Sequence, residues 1–137
     1  MSKILIVEDE PTQNIQLQRA AKGEGREIFS VENGQQAKDL LQANAFDIVV
    51  SDIKMETDLE GLEVLKVAKE KDIYTQVILI TAYGTPETSI EAMRLGAFDY
   101  IERNSPGIDC LNMVSSKISQ ALEFRKLKLF GGNSNEQ

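Results

Sequence analysis

Apolar residues along this chain come in compact bursts separated by longer amphipathic stretches. Lys3 to Val7, Ile48 to Asp52 and Gln76 to Thr81 are the clearest bursts. Runs of this length read as strands buried on both faces, as in a parallel sheet, although periodicity alone does not separate them from a buried helical segment. Glu27 to Val31 and Asp99 to Ile101 supply two shorter strands. The stretches between carry helical spacing and helical punctuation. Pro11 to Lys22 starts on a proline after acids and stops at Gly23 and Gly25. Gln35 to Asn44 follows the Asn33-Gly34 turn and places Ala37, Leu40 and Leu41 on one face. A third helix follows Gly61 and runs to Lys71, with Leu62, Leu65 and Ala68 in a stripe. Thr85 is the expected N-cap of a fourth, with Pro86 at its first position and Gly96 ending it after Leu95. A long fifth helix is expected from Ile108 to Leu129, with Leu111, Val114, Ile118 and Leu122 in one stripe.

Five strands alternating with five helices, without an internal repeat, predict an α/β fold. Right-handed crossovers make this a single (βα)5 doubly wound parallel sheet with flavodoxin-like strand order 2-1-3-4-5. Residues 1–129 are expected to form that domain and residues 130–137 a disordered polar tail.

Composition narrows the function more than the fold. The chain has 137 residues, 42% of them apolar and 27% charged, which suits one soluble domain with one core. A net charge of −7 argues against general attraction to nucleic acid or an anionic membrane. The absence of histidine removes the usual general base, most zinc sites and a serine–histidine triad. One cysteine, Cys110, excludes an internal disulfide and fits a reducing compartment. No apolar run approaches the ~18 residues of a membrane span, and the start of the chain leads into a strand rather than a signal peptide. The expected location is cytoplasmic.

In open parallel sheets the ligand crevice lies outside the carboxyl ends of the strands. The groups that this topology gathers there are Glu8, Asp9, Asp52, Thr81 and Arg103. Each has an ordinary reading by itself: a helix start, a turn carboxylate, a strand-end β-former, a solvated surface charge. Together they are chemically coherent. Three acids in one crevice repel each other, and a hard divalent cation relieves that repulsion; carboxylates and waters are the ligands magnesium prefers. A carboxylate beside such a cation can act as a nucleophile toward phosphorus. Thr81 and Arg103 are candidates to hold the remaining oxygens of the transferring group.

Glu8-Asp9, Asp52, Thr81-Ala82 and Gly96-Ala97-Phe98-Asp99-Tyr100-Ile101 stand at the spacing of a known family. Across residues 3–125 the chain resembles the receiver domain of two-component response regulators. The stretch from Ile80 to Thr88 resembles, more narrowly, receivers attached to enhancer-dependent ATPase transcription activators. The resemblance implies that Asp52 accepts a phosphoryl group from a histidine kinase or phosphotransfer protein. It implies Mg2+ as the cofactor, bound by Asp9, Asp52 and the backbone carbonyl of Lys54, with Glu8 acting through water. Thr81 would bond the phosphoryl group, Ala82 would leave room beside it, and Tyr100 would turn inward as Thr81 moves. The output face would be the fourth helix, fifth strand and fifth helix, acting on an output domain or partner in transcription regulation and offering a homodimer surface. The domain would not be an enzyme beyond self-phosphorylation from small donors and autodephosphorylation.

Two positions depart from the family pattern. Lysine followed by proline is usual after the fifth strand, and this chain has Arg103-Asn104. Arginine keeps the charge and can bind phosphate bidentately, but it is bulkier than lysine; without proline a cis bond is not expected. The loop from Lys54 to Glu60 is acidic and one residue longer than usual, so it can approach the metal or alter kinase docking. Rival readings remain. A haloacid-dehalogenase phosphatase needs a second Asp where Lys54 stands. A flavodoxin needs a phosphate loop after the first strand that is missing. A degenerate receiver, acting as a phosphorylation-independent interaction module, is kept open by Arg103.

Overall fold

The computed structural model describes residues 1–57, 59–82, 84–107 and 109–131. Among them, five strands form one sheet: β1 (Ser2–Val7), β2 (Arg26–Val31), β3 (Ile48–Asp52), β4 (Gln76–Thr81) and β5 (Asp99–Glu102). All pairs are parallel and the order is β2-β1-β3-β4-β5, as the alternation predicts. The helices are α1 (Pro11–Ala21), α2 (Gly34–Ala43), α3 (Glu60–Lys71), α4 (Pro86–Arg94) and α5 (Cys110–Lys126), and a π-helical turn, Leu127–Gly131, extends α5.

The apolar bursts are doubly buried because alternate side chains enter different cores. Leu5, Val7, Val49, Val77 and Leu79 face α2 and α3, where Leu41, Phe46, Val64, Leu65 and Ala68 complete the layer. Ile4, Ile6, Ile48, Val50, Ile78 and Ile80 face α1 and α5, against Leu17, Ala21, Val114, Ile118 and Ala121. Edge strand β2 is only half-buried, which is why its pattern is less apolar than that of β1, β3 or β4.

Local chemistry sets the helix starts. The Glu10 carboxylate caps α1 by accepting from the backbone N–H groups of Thr12 and Gln13. Thr85 caps α4 in a reciprocal capping box with Thr88, and Pro86 holds the first position. Helix α5 starts at Cys110, later than expected, because the Asp109 side chain accepts from the Asn112 N–H and so fixes Asp109 as the cap; Ile108 lies outside the described residues. At its other end the helical path continues through Gly131, beyond Leu129 where the helix was expected to end. The rest of the expected tail, 132–137, lies outside the described residues. Helix α3 starts at Glu60 rather than after Gly61. Gly61 is required there: a Cβ would lie 2.3 Å from the Asp52 carbonyl oxygen and 2.6 Å from Ile53 Cα. Its absence lets the first turn of α3 pack directly on the end of β3, and the Gly61 N–H donates to the Ile53 carbonyl at 2.8 Å. No described helix is long and apolar enough to cross a membrane.

Candidate functional site

The carboxyl ends of β1, β3 and β4 bring the predicted acids together. Asp52 is the last residue of β3, and its register partner on β4 is Ile80, one residue before Thr81. Glu8 and Asp9 follow β1 directly. Glu8, Asp9 and Asp52 each offer one carboxylate oxygen, and these oxygens all lie within 4.8 Å of one another. Glu8 is 1% exposed and Asp52 8%, whereas Asp9 faces solvent.

Backbone and amide groups hold the acids in place. The Glu10 N–H donates to Glu8 Oε2 at 3.1 Å, and Asn14 Nδ2 donates to the Glu8 carbonyl at 2.9 Å. The Lys54 N–H donates to Asp52 Oδ1 at 3.2 Å. The Lys54 side chain is exposed. Thr81 ends β4 and is buried, and its carbonyl accepts from the Arg103 N–H at 2.7 Å. That bond pins the start of the loop after β5 to the end of β4.

Arg103 reaches back across the crevice. Its Nη2 donates to Glu8 Oε1 at 2.8 Å, its Nη1 lies 3.7 Å from Asp52 Oδ2, and Nη1 also donates to Gln13 Oε1 on α1. The electrostatics remain unbalanced in spite of this cation. Burial pushes the Glu8 carboxyl up to about 7, with the Asp52 charge adding to it and the Arg103 and Glu10 hydrogen bonds opposing it. Burial raises Asp52 as well; Arg103 opposes that rise and Asp9 adds to it. Three convergent hard oxygen donors with surplus negative charge fit a hard divalent cation of the magnesium type.

Tyr100 and Ala82 sit beside this cluster rather than in it. Tyr100 is half-buried, and its hydroxyl lies 3.0 Å from Thr88 Oγ1 at the start of α4. Ala82 is half-buried, and its carbonyl accepts from Asn104 Nδ2 at 3.3 Å. The acidic loop after Asp52 keeps its described acids out of the cluster. Met55 is buried in the core, and the Glu60 side chain, 8% exposed, turns toward α2. There Gly34 leaves the room it occupies: a Cβ on Gly34 would lie 2.4 Å from Glu60 Cγ. Glu60 Oε2 also accepts from the Glu56 N–H at 3.2 Å. Asp58 lies outside the described residues.

Sequence reasoning missed Gln13, Asn14, Glu60 and Gly61. The available signal was positional: Gln13 and Asn14 stand in the first turn of a helix that opens at the crevice, and Gly61 follows the loop after Asp52.

Comparison with known proteins bears on the family and the fold. The sequence model of the family described as response regulator receiver domain matches residues 4–115. Regulatory protein AtoC of Escherichia coli K12 is 35% identical over 128 residues, covering 93% of this chain and 27% of that protein. The chain thus spans about a quarter of the length of the curated relatives it matches. The crystal structure of NtrX from Brucella abortus superposes with a TM-score of 0.81 at 27% identity, covering 97% of this chain and 29% of that one. A receiver domain protein from Methanospirillum hungatei JF-1 shares the fold, with a TM-score of 0.81 at 23% identity, covering 93% of this chain and 98% of that one.

Proposed function

This chain belongs to the response regulator receiver domain family, and from that premise we propose that it is a Mg2+-dependent phosphoacceptor whose acceptor atom is a carboxylate oxygen of Asp52. The observation that carries this reading is the convergence of Asp52 with Glu8 and Asp9 within 4.8 Å at the carboxyl edge of a parallel sheet.

A carboxylate oxygen of Asp52 attacks the phosphorus of a phosphohistidine on a histidine kinase or phosphotransfer protein. The P–N bond breaks, the imidazole leaves with the electron pair, and Asp52 becomes an acyl phosphate. Asp9, Asp52 and the Lys54 carbonyl would hold Mg2+ directly and Glu8 through water. Once bound, Mg2+ supplies charge neutralisation for the transferring group. Thr81 donates its hydroxyl to a phosphoryl oxygen, Ala82 leaves room beside it, and Arg103 offers a guanidinium to another oxygen. Thr81 moving toward the phosphate draws Tyr100 inward. That shift biases two pre-existing states of the face made by α4, β5 and α5.

The output in this reading is transcription regulation in the cytoplasm, through a further domain or a partner. It draws support from the likeness to the regulatory protein AtoC and to a C4-dicarboxylate transport transcriptional regulatory protein of Pseudomonas aeruginosa. The enhancer-dependent subgroup and a homodimer through the α4-β5-α5 face belong to the same proposal. The second reading, a phosphorylation-independent interaction module, is favoured by one observation: Arg103 already engages Glu8 and Asp52.

Treatment with acetyl phosphate or phosphoramidate and Mg2+, followed by intact-mass spectrometry, separates the two. One added phosphate is expected on the wild type and none on Asp52→Asn. An unmodified wild type overturns the phosphoacceptor reading and supports the interaction module.

A further inference from the structure

The Arg103 guanidinium is built into the acid cluster rather than standing at its rim. Its side chain is 16% exposed, it bonds Glu8 Oε1 at 2.8 Å, and it lies 3.7 Å from Asp52 Oδ2. Nη1, the nitrogen near Asp52, also donates to a neutral group, Gln13 Oε1 on α1. The Arg103 backbone is fixed by the 2.7 Å bond to the Thr81 carbonyl, so movement out of the crevice falls to the side chain. A guanidinium suits this position: its planar fork serves two acceptors at once, and it is more weakly hydrated than an ammonium. These contacts use lone pairs of Glu8 and charge of Asp52, two of the three acids that converge within 4.8 Å.

We propose that Arg103, held by Gln13, is a tethered counter-cation that competes with the divalent metal ion for Glu8 and Asp52. The inference rests on the metal reading of the site given above and adds to it a residue pair that sets metal affinity. Two cations that draw on the same carboxylates are negatively coupled, and the coupling is reciprocal: docking of the arginine weakens metal binding by the same factor by which the metal weakens docking of the arginine. Gln13 contributes by making the docked guanidinium geometry more favourable without adding charge. Lysine at position 103 is a compact, strongly hydrated charge without the planar fork and is the weaker competitor. Metal binding frees the guanidinium from Glu8, which places it at the mouth of the crevice, where the phosphoryl group arrives.

The test is calorimetric titration of Mg2+ into the EDTA-treated, dialysed full chain, with thermal unfolding of the same samples. Arg103→Met removes the competitor and is expected to tighten Mg2+ binding about fivefold or more, while lowering the unfolding midpoint without metal. Loss of a positive charge would favour the metal by its field alone, so two variants that keep the charge decide the matter. Gln13→Ala and Arg103→Lys are each expected to bind Mg2+ more tightly than the wild type, by a smaller factor than Arg103→Met. An unchanged or weaker Mg2+ affinity in both overturns the inference, and unfolding changes alone reduce Arg103 to a structural ion pair. Absence of Mg2+ binding in the wild type and every variant overturns the metal reading itself, an outcome distinct from equal binding in all of them.

Discussion

Arg103 and Glu8 form an ion pair at 2.8 Å in which the carboxylate is 1% exposed, so the charge of Glu8 depends on what its buried neighbours supply. Burial outweighs the guanidinium and leaves Glu8 titrating near 7 instead of 4.5. A carboxyl whose value is raised by folding binds its proton more tightly in the folded than in the unfolded state. Its contribution to stability is therefore complete below about 4.5 and is lost as pH rises through about 7. With EDTA present, the unfolding midpoint of the wild type is expected to fall between pH 5 and pH 8. Glu8→Gln should flatten that part of the profile; a variant with the same slope as the wild type assigns the slope to other groups.

Gly61→Ala is expected to damage the site through the backbone. The new Cβ would meet the Asp52 carbonyl at 2.3 Å and Ile53 Cα at 2.6 Å, and neither atom can rotate away. Overpacking of this kind costs about 1–3 kcal/mol. Chemical denaturation should show that loss, and Mg2+ titration should show weaker binding, because relief of the clash requires α3 or the end of β3 to shift.

Thr88→Val should loosen the start of α4. Thr88 both closes the capping box with Thr85 and meets the Tyr100 hydroxyl at 3.0 Å. The loss is expected to be about 1 kcal/mol. Amide hydrogen exchange should rise in the first turn of α4 while β3 and β4 stay protected. Uniform loss of protection would mean that the pair supports the whole fold.

Phe46→Ala tests the packing behind the sheet. Phe46 is 1% exposed and meets Phe29 edge-on, with ring centroids 5.3 Å apart. Truncation of a buried phenylalanine costs about 3–5 kcal/mol, a large share of the about 5–15 kcal/mol that holds a domain together. The urea midpoint should drop accordingly.

The order of elements was legible along the chain because each depends on neighbours in sequence. Doubly buried strands need uninterrupted apolar residues, as in Ile48 to Val50, and helix starts need local caps, as at Thr85-Pro86. Parallel pairing and strand order followed from the short alternation of the two kinds of element. The acids at the strand ends followed in turn, since the position of Asp52 after β3 and of Glu8 and Asp9 after β1 is set by where those strands stop. The boundaries of α5 were less legible, because the cap at Asp109 competes with an apolar pattern that extends to either side.

Contacts between residues distant in sequence belonged to the tertiary structure. Arg103 and Gln13 are 90 positions apart, and their pairing joins the first turn of α1 to the residue that follows β5. The room for Glu60 is made by a missing Cβ on Gly34, and the approach of α3 to Asp52 by a missing Cβ on Gly61. A strand or a cap is decided by local backbone and side-chain chemistry, which a short window of sequence contains. Whether a cation lies against a buried carboxylate is decided by the close packing of elements far apart in the chain, and that exists only once the fold has formed.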